Sequence, residues 1–233
     1  FGLQMLLLAS ALSIGSAANA QDAGGVDVTC VPPLPEAHAN NAVAQAVVDG
    51  KTTLFSFAGL KAGKTWRDTS RAAYMWSAGD AAWRVLPDLP VSEGRLAATT
   101  ETVGDKVYIF GGYSIAADGQ EVSRAENFAF DPLKGTYSPV AAMPTPVDDA
   151  VSFVYNARYI YIVSGWHNDG NVRAVQVYDT RDDRWFEASD YPGSPVFGHA
   201  GGIVGNRFVI ADGVAVVGES EDGKRQFDTV NEG

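Results

Sequence analysis

The sequence contains one cysteine, three histidines and many fewer basic than acidic side chains. Because Cys30 has no cysteine partner in the chain, an intrachain disulfide is excluded. The formal net charge of −11 leaves no cationic surface to match a phosphate backbone, so nucleic acid is a poor candidate partner. The three histidines lack the short spacing of a metal site, so neither a metal nor a cofactor is predicted.

Motifs of the common catalytic classes are missing as well. The sequence has no Gly-x-Ser-x-Gly elbow, no phosphate-binding glycine loop and no dinucleotide fingerprint. It therefore predicts no particular reaction, and the catalytic residues stay unknown.

The first twenty residues differ in composition from the rest of the chain. Residues 3–14 are largely apolar, no basic residue precedes Lys51, and Ala18-Asn19-Ala20 has the small-x-small form of a cleavage site. The pattern predicts a signal peptide over residues 1–20 and a periplasmic or extracellular protein, with a buried N-terminal helix as the alternative. The apolar run is short for a membrane helix, so no membrane span is expected in the mature chain.

Short apolar segments that end in glycine recur along the chain. Glycine is abundant at 25 residues, and charged residues make up only 19% of the sequence. The closing glycines lie about fifty residues apart, and runs of β-branched and aromatic residues before them predict buried strands. Glycine permits the unusual backbone or close approach where each strand leaves its sheet. The four segments are Thr53–Gly59, Lys106–Gly112, Tyr159–Gly165 and Arg207–Gly213.

Two aromatic residues separated by six others follow each of the first three glycines. An aromatic that ends one strand, a tight turn and an aromatic on the next strand describe a hairpin whose rings pack between neighbouring sheets. Prolines then follow each outer strand, where no ladder donor is needed. The aromatic pairs are Trp76 with Trp83, Phe130 with Tyr137, and Tyr178 with Trp185.

This combination of glycine-ended strand and spaced aromatic pair resembles the kelch repeat. The resemblance implies an all-β, kelch-type β-propeller with four-stranded blades of about fifty residues each. Only Gly111-Gly112 keeps both repeat glycines, since Ala58, Ser164 and Asp212 replace the first one elsewhere. We count about three and a half blades and expect a ring of six or seven. The sequence, which begins with Phe1, is therefore expected to be truncated at both ends.

The repeats set the predicted domain boundaries. After the signal peptide, the N-terminal segment 21–37 resembles an outer strand with its prolines, and we expect residues 26–31 to close the last blade of the ring. Blade one is predicted over residues 38–90, blade two over 91–146 and blade three over 147–195, with a partial blade four over 196–233.

The predicted topology sorts the loops into two rims. In a four-stranded antiparallel blade, the loops between the second and third strands share a rim with the links between blades, and the opposite rim carries tight turns. The richer rim is where a site is expected, because loops on a rigid scaffold usually carry function. Candidate ligand-binding residues on this rim are Arg95, Tyr113, Asp148, Asp149, Trp166, His167, Asn168, Phe197 and His199.

Each of these candidates also has a purely structural interpretation. The adjacent carboxylates Asp148 and Asp149 can cap turns, and Trp166 can pack between blades. Arg95 can bridge neighbouring blades, and buried histidines are more often structural than catalytic.

Three functions are left open by the sequence. A rim of aromatic and planar polar groups suits a carbohydrate or related small ligand. The early proline-rich strand and the segment 194–202 resemble secreted bacterial kelch proteins of the sialic acid mutarotase (N-acetylneuraminate epimerase) group, which implies sugar mutarotation as a possible activity. The alternatives are a non-catalytic protein-interaction propeller and a copper radical oxidase of the galactose oxidase type, which would need a tyrosine–cysteine pair and histidine ligands.

Overall fold

The computed structural model describes residues 31–231. The predicted signal peptide and the predicted closing strand, apart from Val31, lie outside these residues. Twenty strands and one short 3₁₀ turn, Trp66–Asp68, make up the described chain. None of its helices within residues 31–231 has the length and apolar character needed to cross a membrane.

Three four-stranded antiparallel sheets follow one another along the chain, each in sequential strand order apart from an inserted hairpin. This is the blade arrangement expected from the repeats. The first sheet contains β1 (Ala42–Val48), β2 (Lys51–Leu60), β3 (Thr69–Ser77) and β4 (Arg84–Leu86). The second contains β5 (Thr99–Val103), β6 (Lys106–Phe110), β9 (Asn127–Asp131) and β10 (Thr136–Val140), with the hairpin β7 (Tyr113–Ile115) and β8 (Glu121–Ser123).

The third sheet repeats the second, and the fourth repeat is present in part. In the fourth repeat, the first two strands pair with each other, and the following hairpin forms a separate ribbon. The third sheet contains β11 (Val151–Tyr155), β12 (Tyr159–Val163), β15 (Val175–Asp179) and β16 (Arg184–Glu187), with the hairpin β13 (Trp166–His167) and β14 (Gly170–Asn171). The fourth repeat contains β17 (Ala200–Val204), β18 (Arg207–Ala211), β19 (Val214–Glu219) and β20 (Arg225–Thr229).

The residue pairs that end the second strand of each repeat share one backbone conformation. In all four pairs both residues have positive φ, for example 55° and 78° at Gly111 and Gly112, and 57° and 103° at Ser164 and Gly165. A side chain at Gly112 would bring its Cβ within 2.5 Å of the Leu96 carbonyl oxygen. The second residue must therefore be glycine, because both its φ and its close packing exclude a Cβ.

The core lies between neighbouring sheets, as the aromatic pairs predicted. Phe57 of the first sheet meets Phe130 edge-on at a centroid distance of 5.8 Å, and Phe110 of the second meets Tyr178 at 5.3 Å. All four rings are fully buried. Such contacts add to the hydrophobic gain and fix the stacking of the sheets.

The second aromatic of each pair also bonds to the preceding repeat. The indole Nε1 of Trp185 donates to the Ala141 carbonyl at 2.8 Å, and the Tyr137 hydroxyl donates to the Pro87 carbonyl at 3.0 Å. Trp83 makes the matching bond to the Pro32 carbonyl at 2.7 Å. Pro32 thus occupies the position that Pro87 occupies one repeat later.

The links between sheets are joined by a ladder of backbone hydrogen bonds. The N–H of Ala97 donates to the carbonyl of Asn40, that of Asp149 to Ala97, and that of Gly198 to Asp149, at 3.1, 3.2 and 2.8 Å. All four residues have positive φ. The ladder holds the links of successive repeats side by side at one rim.

Candidate ligand site at the loop-rich rim

The links and the loops after the second strands meet at the same rim, as the topology predicted. In each repeat, one link residue pairs with the first residue after the strand-ending glycine. The pairs are Ala39 with Leu60, Leu96 with Tyr113, Asp148 with Trp166, and Phe197 with Val214.

Asp148 departs from the pattern at its position. The equivalent link residues are the apolar Ala39, Leu96 and Phe197, whereas the third repeat places a carboxyl there. Asp148 is only 3% exposed. Because burying a carboxylate is costly, this substitution requires a specific hydrogen-bonding partner.

Ser123 of β8 supplies that partner. Its hydroxyl donates to Oδ2 of Asp148 at 2.7 Å and accepts a hydrogen bond from the Asn168 N–H at 3.0 Å. The Ser123 N–H in turn donates to Oδ1 of Asn168 at 3.1 Å. A hydrogen-bonded chain therefore runs from the buried carboxyl to the β13–β14 hairpin of the next sheet.

Asp148 and two neighbouring acidic groups, Asp149 and Tyr113, have raised pKa values. Burial is the main reason that the pKa of Asp148 rises to about 7 and that of Asp149 to about 6, with Glu121 adding repulsion at both. Burial and the same carboxylates raise the pKa of Tyr113 to about 12. The rim thus holds carboxyl groups able to carry or release a proton near neutral pH.

A polar cavity of about 590 Å³ opens beside this cluster, between the hairpins of the second, third and fourth repeats. Its size is typical of small-ligand sites. Among the predicted residues, only Asn168 lines it, and Asp148 connects to it through Ser123. The wall residues are Gly119, Gln120, Glu121, Val122, Asn168, Asp169 and Arg225.

An aromatic cluster borders the cavity. The Trp166 ring packs edge-on against Phe197 at 5.5 Å and lies 6.0 Å from Phe227, which is 51% exposed. Arg225 lies over the Trp166 ring at 5.1 Å and pairs with Asp169 at 3.0 Å. Trp166 and Phe197 are therefore brought together beside the cavity, as their shared rim predicted.

His167 lies on the same hairpin and has two polar contacts. Its Nδ1 lies 2.5 Å from the Pro146 carbonyl oxygen, and its Nε2 lies 3.3 Å from the Asn168 side-chain nitrogen. The first contact ties the hairpin to the link before the third sheet. His167 thus orients Asn168 without lining the cavity itself.

Arg95 and His199 lie beneath the rim. Arg95 donates to the Gly111 carbonyl at 2.6 Å and lies 3.6 Å from a Glu126 carboxylate oxygen, and burial lowers its pKa to about 10. His199 lies 3.1 Å from the Val163 carbonyl through Nε2, and burial lowers its pKa. The Arg95 contacts lie within the second repeat, and the His199 contact joins the fourth repeat to the third. Both residues thus have structural partners, and ligand binding by either one stays a prediction.

No copper ligand set is found in the part of the chain that the structure describes. Residues 31–231 contain no group of three or more His, Cys, Asp or Glu side chains arranged to hold a metal ion. Cys30, which a copper radical site would need, lies outside these residues.

Sequence reasoning missed Arg225 and Gln120 as parts of the site. Arg225 comes from the fourth repeat, and its approach to Trp166 depends on how two hairpins dock. An alignment of the repeats by their link residues would have singled out Asp148, because the equivalent residues Ala39, Leu96 and Phe197 are apolar.

Comparison with solved structures places the chain in a known fold. Over 86% of its length it superposes on 67% of the YjhT chain, with a TM-score of 0.64 and 15% identity. The fold is a kelch-type β-propeller. The stacked four-stranded sheets and the repeated glycine geometry described above are its blades.

Curated proteins with kelch repeats match parts of the sequence, while no protein-family model matches it. The chain is 30% identical to Kelch-like protein 15 of Gallus gallus over 129 residues, which are 55% of this chain and 25% of that protein. It is 29% identical to Kelch-like protein terF of Aspergillus terreus over 164 residues, or 67% of this chain and 34% of that protein. The chain thus spans about a fifth to a third of the length of the curated relatives it matches.

Proposed function

We propose that this kelch-type propeller binds a carbohydrate at its loop-rich rim. The observation that carries the proposal is the 590 Å³ cavity between three hairpins, which has a polar wall and whose wall residue Arg225 lies over the ring of Trp166. Carboxylate, amide and guanidinium groups are available there from Glu121, Asn168 and Arg225. Such planar groups suit the directional hydroxyls of a sugar.

The aromatic border supplies the second half of sugar recognition. Phe227 is half exposed beside the Trp166 ring, so an apolar surface adjoins the polar wall. One face of a pyranose is apolar and stacks on aromatic rings, while its edge hydroxyls need donors and acceptors. We also propose export of the protein, on the signal-like composition of its first twenty residues.

Sugar mutarotation is a second candidate on the same rim, favoured by Asp149, which neighbours the buried Asp148 but is not a wall residue of the cavity. Ring opening needs a general acid and a general base, and a carboxyl with a pKa of about 6 can act as either near neutrality. No hydrogen bond from another described residue occupies the Asp149 carboxyl group, and Tyr113 lies within its electrostatic reach. The resemblance of residues 194–202 to the mutarotase group supports this candidate.

The proposal is tested by a glycan array with the full chain, followed by calorimetry with the sugar that binds best. Replacing Arg225 with Gln should weaken binding about tenfold, because one charge-assisted hydrogen bond to the ligand is lost. Arg207→Gln is the matched control, since Arg207 lies at the start of β18, next to the tight turn of the opposite rim. Binding to no sugar would contradict the proposal and favour a protein partner.

Mutarotation is tested separately with that sugar by following the interconversion of its anomers by NMR. We expect the full chain to accelerate the exchange and Asp149→Asn to slow it while the Kd stays within twofold. A sugar that binds without any acceleration would leave the binding proposal intact and contradict the mutarotase candidate.

A further inference from the structure

A second cleft opens on the rim between the first and second repeats, and the β7–β8 hairpin contributes different residues to this cleft and to the cavity described above. Its volume is about 670 Å³, and none of its wall residues belongs to the first cavity. The wall combines the loop after β2, the start of β3, the following link and the tip of the β7–β8 hairpin. It includes Lys61, Trp66, Arg67, Arg71, Asp88 and Glu93.

The loop that carries Trp66 and Arg67 is held in a fixed shape. The N–H of Thr65 donates to Oδ2 of Asp68 at 2.9 Å, and the Asp68 N–H donates to the Thr65 carbonyl at 2.8 Å. A Cβ at Gly63 would lie 2.4 Å from the same Oδ2 atom, so the loop folds tightly over the carboxylate. Trp66 and Arg67 lie between these anchored residues and are presented to the cleft with little ordering cost.

At the floor of the cleft, the link at Gly94 packs closely against the start of β3. A Cβ at Gly94 would lie 2.3 Å from the Thr69 carbonyl carbon. The Arg95 N–H donates to the Ser70 carbonyl at 3.0 Å, which fastens the link to β3. The cleft is therefore bounded by packed backbone on this side.

The charges in the cleft favour an anion, although the chain as a whole is acidic. Both carboxylates of the wall already have guanidinium partners, since Asp88 pairs with Arg71 at 3.4 Å and Glu93 pairs with Arg124. Lys61 pairs with Glu36, which lies outside the wall. Arg67 has no carboxylate partner among residues 31–231, and its guanidinium lies over the Trp66 ring at 4.4 Å.

We propose that this cleft binds a ring-shaped organic anion of monosaccharide size, such as a sugar that carries a carboxylate or a phosphate. Arg67, which has no carboxylate partner among residues 31–231, neutralises the anionic group, because guanidinium forms paired hydrogen bonds with either oxyanion. Trp66, which is 37% exposed, supplies an apolar surface for the ring. The site is independent of the proposed carbohydrate cavity.

Calorimetry on the full chain at low ionic strength tests the proposal with three probes: glucuronate, glucose 6-phosphate and neutral methyl glucoside. We expect at least one of the anions to bind, and Arg67→Gln to weaken that anion about tenfold. The matched control Lys51→Gln removes the same charge at the turn between β1 and β2 and should leave the Kd within twofold. If only glucuronate binds, the anionic group is a carboxylate. If only glucose 6-phosphate binds, it is a phosphate.

Three outcomes would overturn the proposal. One is that neither anion binds, and another is that Arg67→Gln binds them as tightly as Lys51→Gln does. The third is that Arg225→Gln abolishes anion binding while Arg67→Gln does not, which would place the anion in the other cavity. Since the two sites share no residue, failure here leaves the carbohydrate proposal untouched.

Discussion

Replacing Asp148 with Asn tests whether the rim is built around a buried, protonatable carboxyl. Asn keeps the size of the side chain and an oxygen that can accept the Ser123 hydrogen bond. It removes only the ability to ionise. The variant should therefore fold like the original protein and differ from it in how stability depends on pH.

The magnitude follows from the raised pKa of Asp148, about 7 in the folded protein against 3.8 as the ordinary value. Between these two values the folded state holds a proton that the unfolded state has released, so the free energy of unfolding falls as pH rises. At about 1.4 kcal/mol per pH unit, the loss sums to an upper limit of about 4 kcal/mol above pH 7. Asp148→Asn abolishes this loss.

Urea unfolding at intervals from pH 4 to pH 8 measures the effect. We expect the variant to match the original protein near pH 4 and to become more stable by a few kcal/mol at pH 8. The exposed Asp105→Asn serves as the control and should show no such growing difference. A gap between Asp148→Asn and the original protein that stays constant over this range would refute the reasoning.

Three further predictions concern the scaffold. Gly112→Ala should lower the free energy of unfolding, measured with urea, by at least about 3 kcal/mol, since its Cβ would meet the Leu96 carbonyl. The control Gly104→Ala has open space and a similar φ, so it should lower that free energy by about 1 kcal/mol. Equal losses would contradict the close approach at Gly112. Arg158→Ala should lower the urea midpoint at pH 7 because it strips the buried Asp179 of two hydrogen bonds at 2.7 and 2.6 Å, while the exposed-pair control Lys134→Ala should not. Arg158 lowers the pKa of Asp179, so its stabilisation is present above about pH 4 and lost as the pH falls further; an effect that persists undiminished at pH 2 would count against the ion pair. Trp185→Phe keeps the ring but loses the bond to Ala141 and should cost about 1 kcal/mol, and an unchanged urea midpoint would show that this bond contributes nothing.

The strands and their sheets could be predicted because their causes are local and repeated. The segment Lys106–Gly112 combines a run of apolar residues with a glycine that its backbone requires, and the structure has β6 there. The facing of Phe130 and Tyr137 followed from their six-residue separation across a tight turn, and the register pairs them directly. Repetition of these signals made the fold visible in a single sequence.

The site was predicted only in outline, because its details depend on contacts between repeats. Topology alone placed Asp148, Trp166 and Asn168 on one rim. The contact of Ser123 with the buried Asp148 joins residues 25 positions apart, and the contact of Arg225 with Trp166 joins residues 59 positions apart. Both contacts depend on how hairpins of different repeats dock against each other. The basic cleft around Trp66 and Arg67 was invisible for the same reason, since the link and the second hairpin complete its wall.

A crystal structure of the full chain with its best-binding neutral sugar tests the central claim most directly. The account predicts sugar density in the cavity between Glu121, Asn168 and Arg225, with the ring against Trp166 or Phe227. Density anywhere else on the protein, or none at sugar concentrations well above the measured Kd, would contradict it.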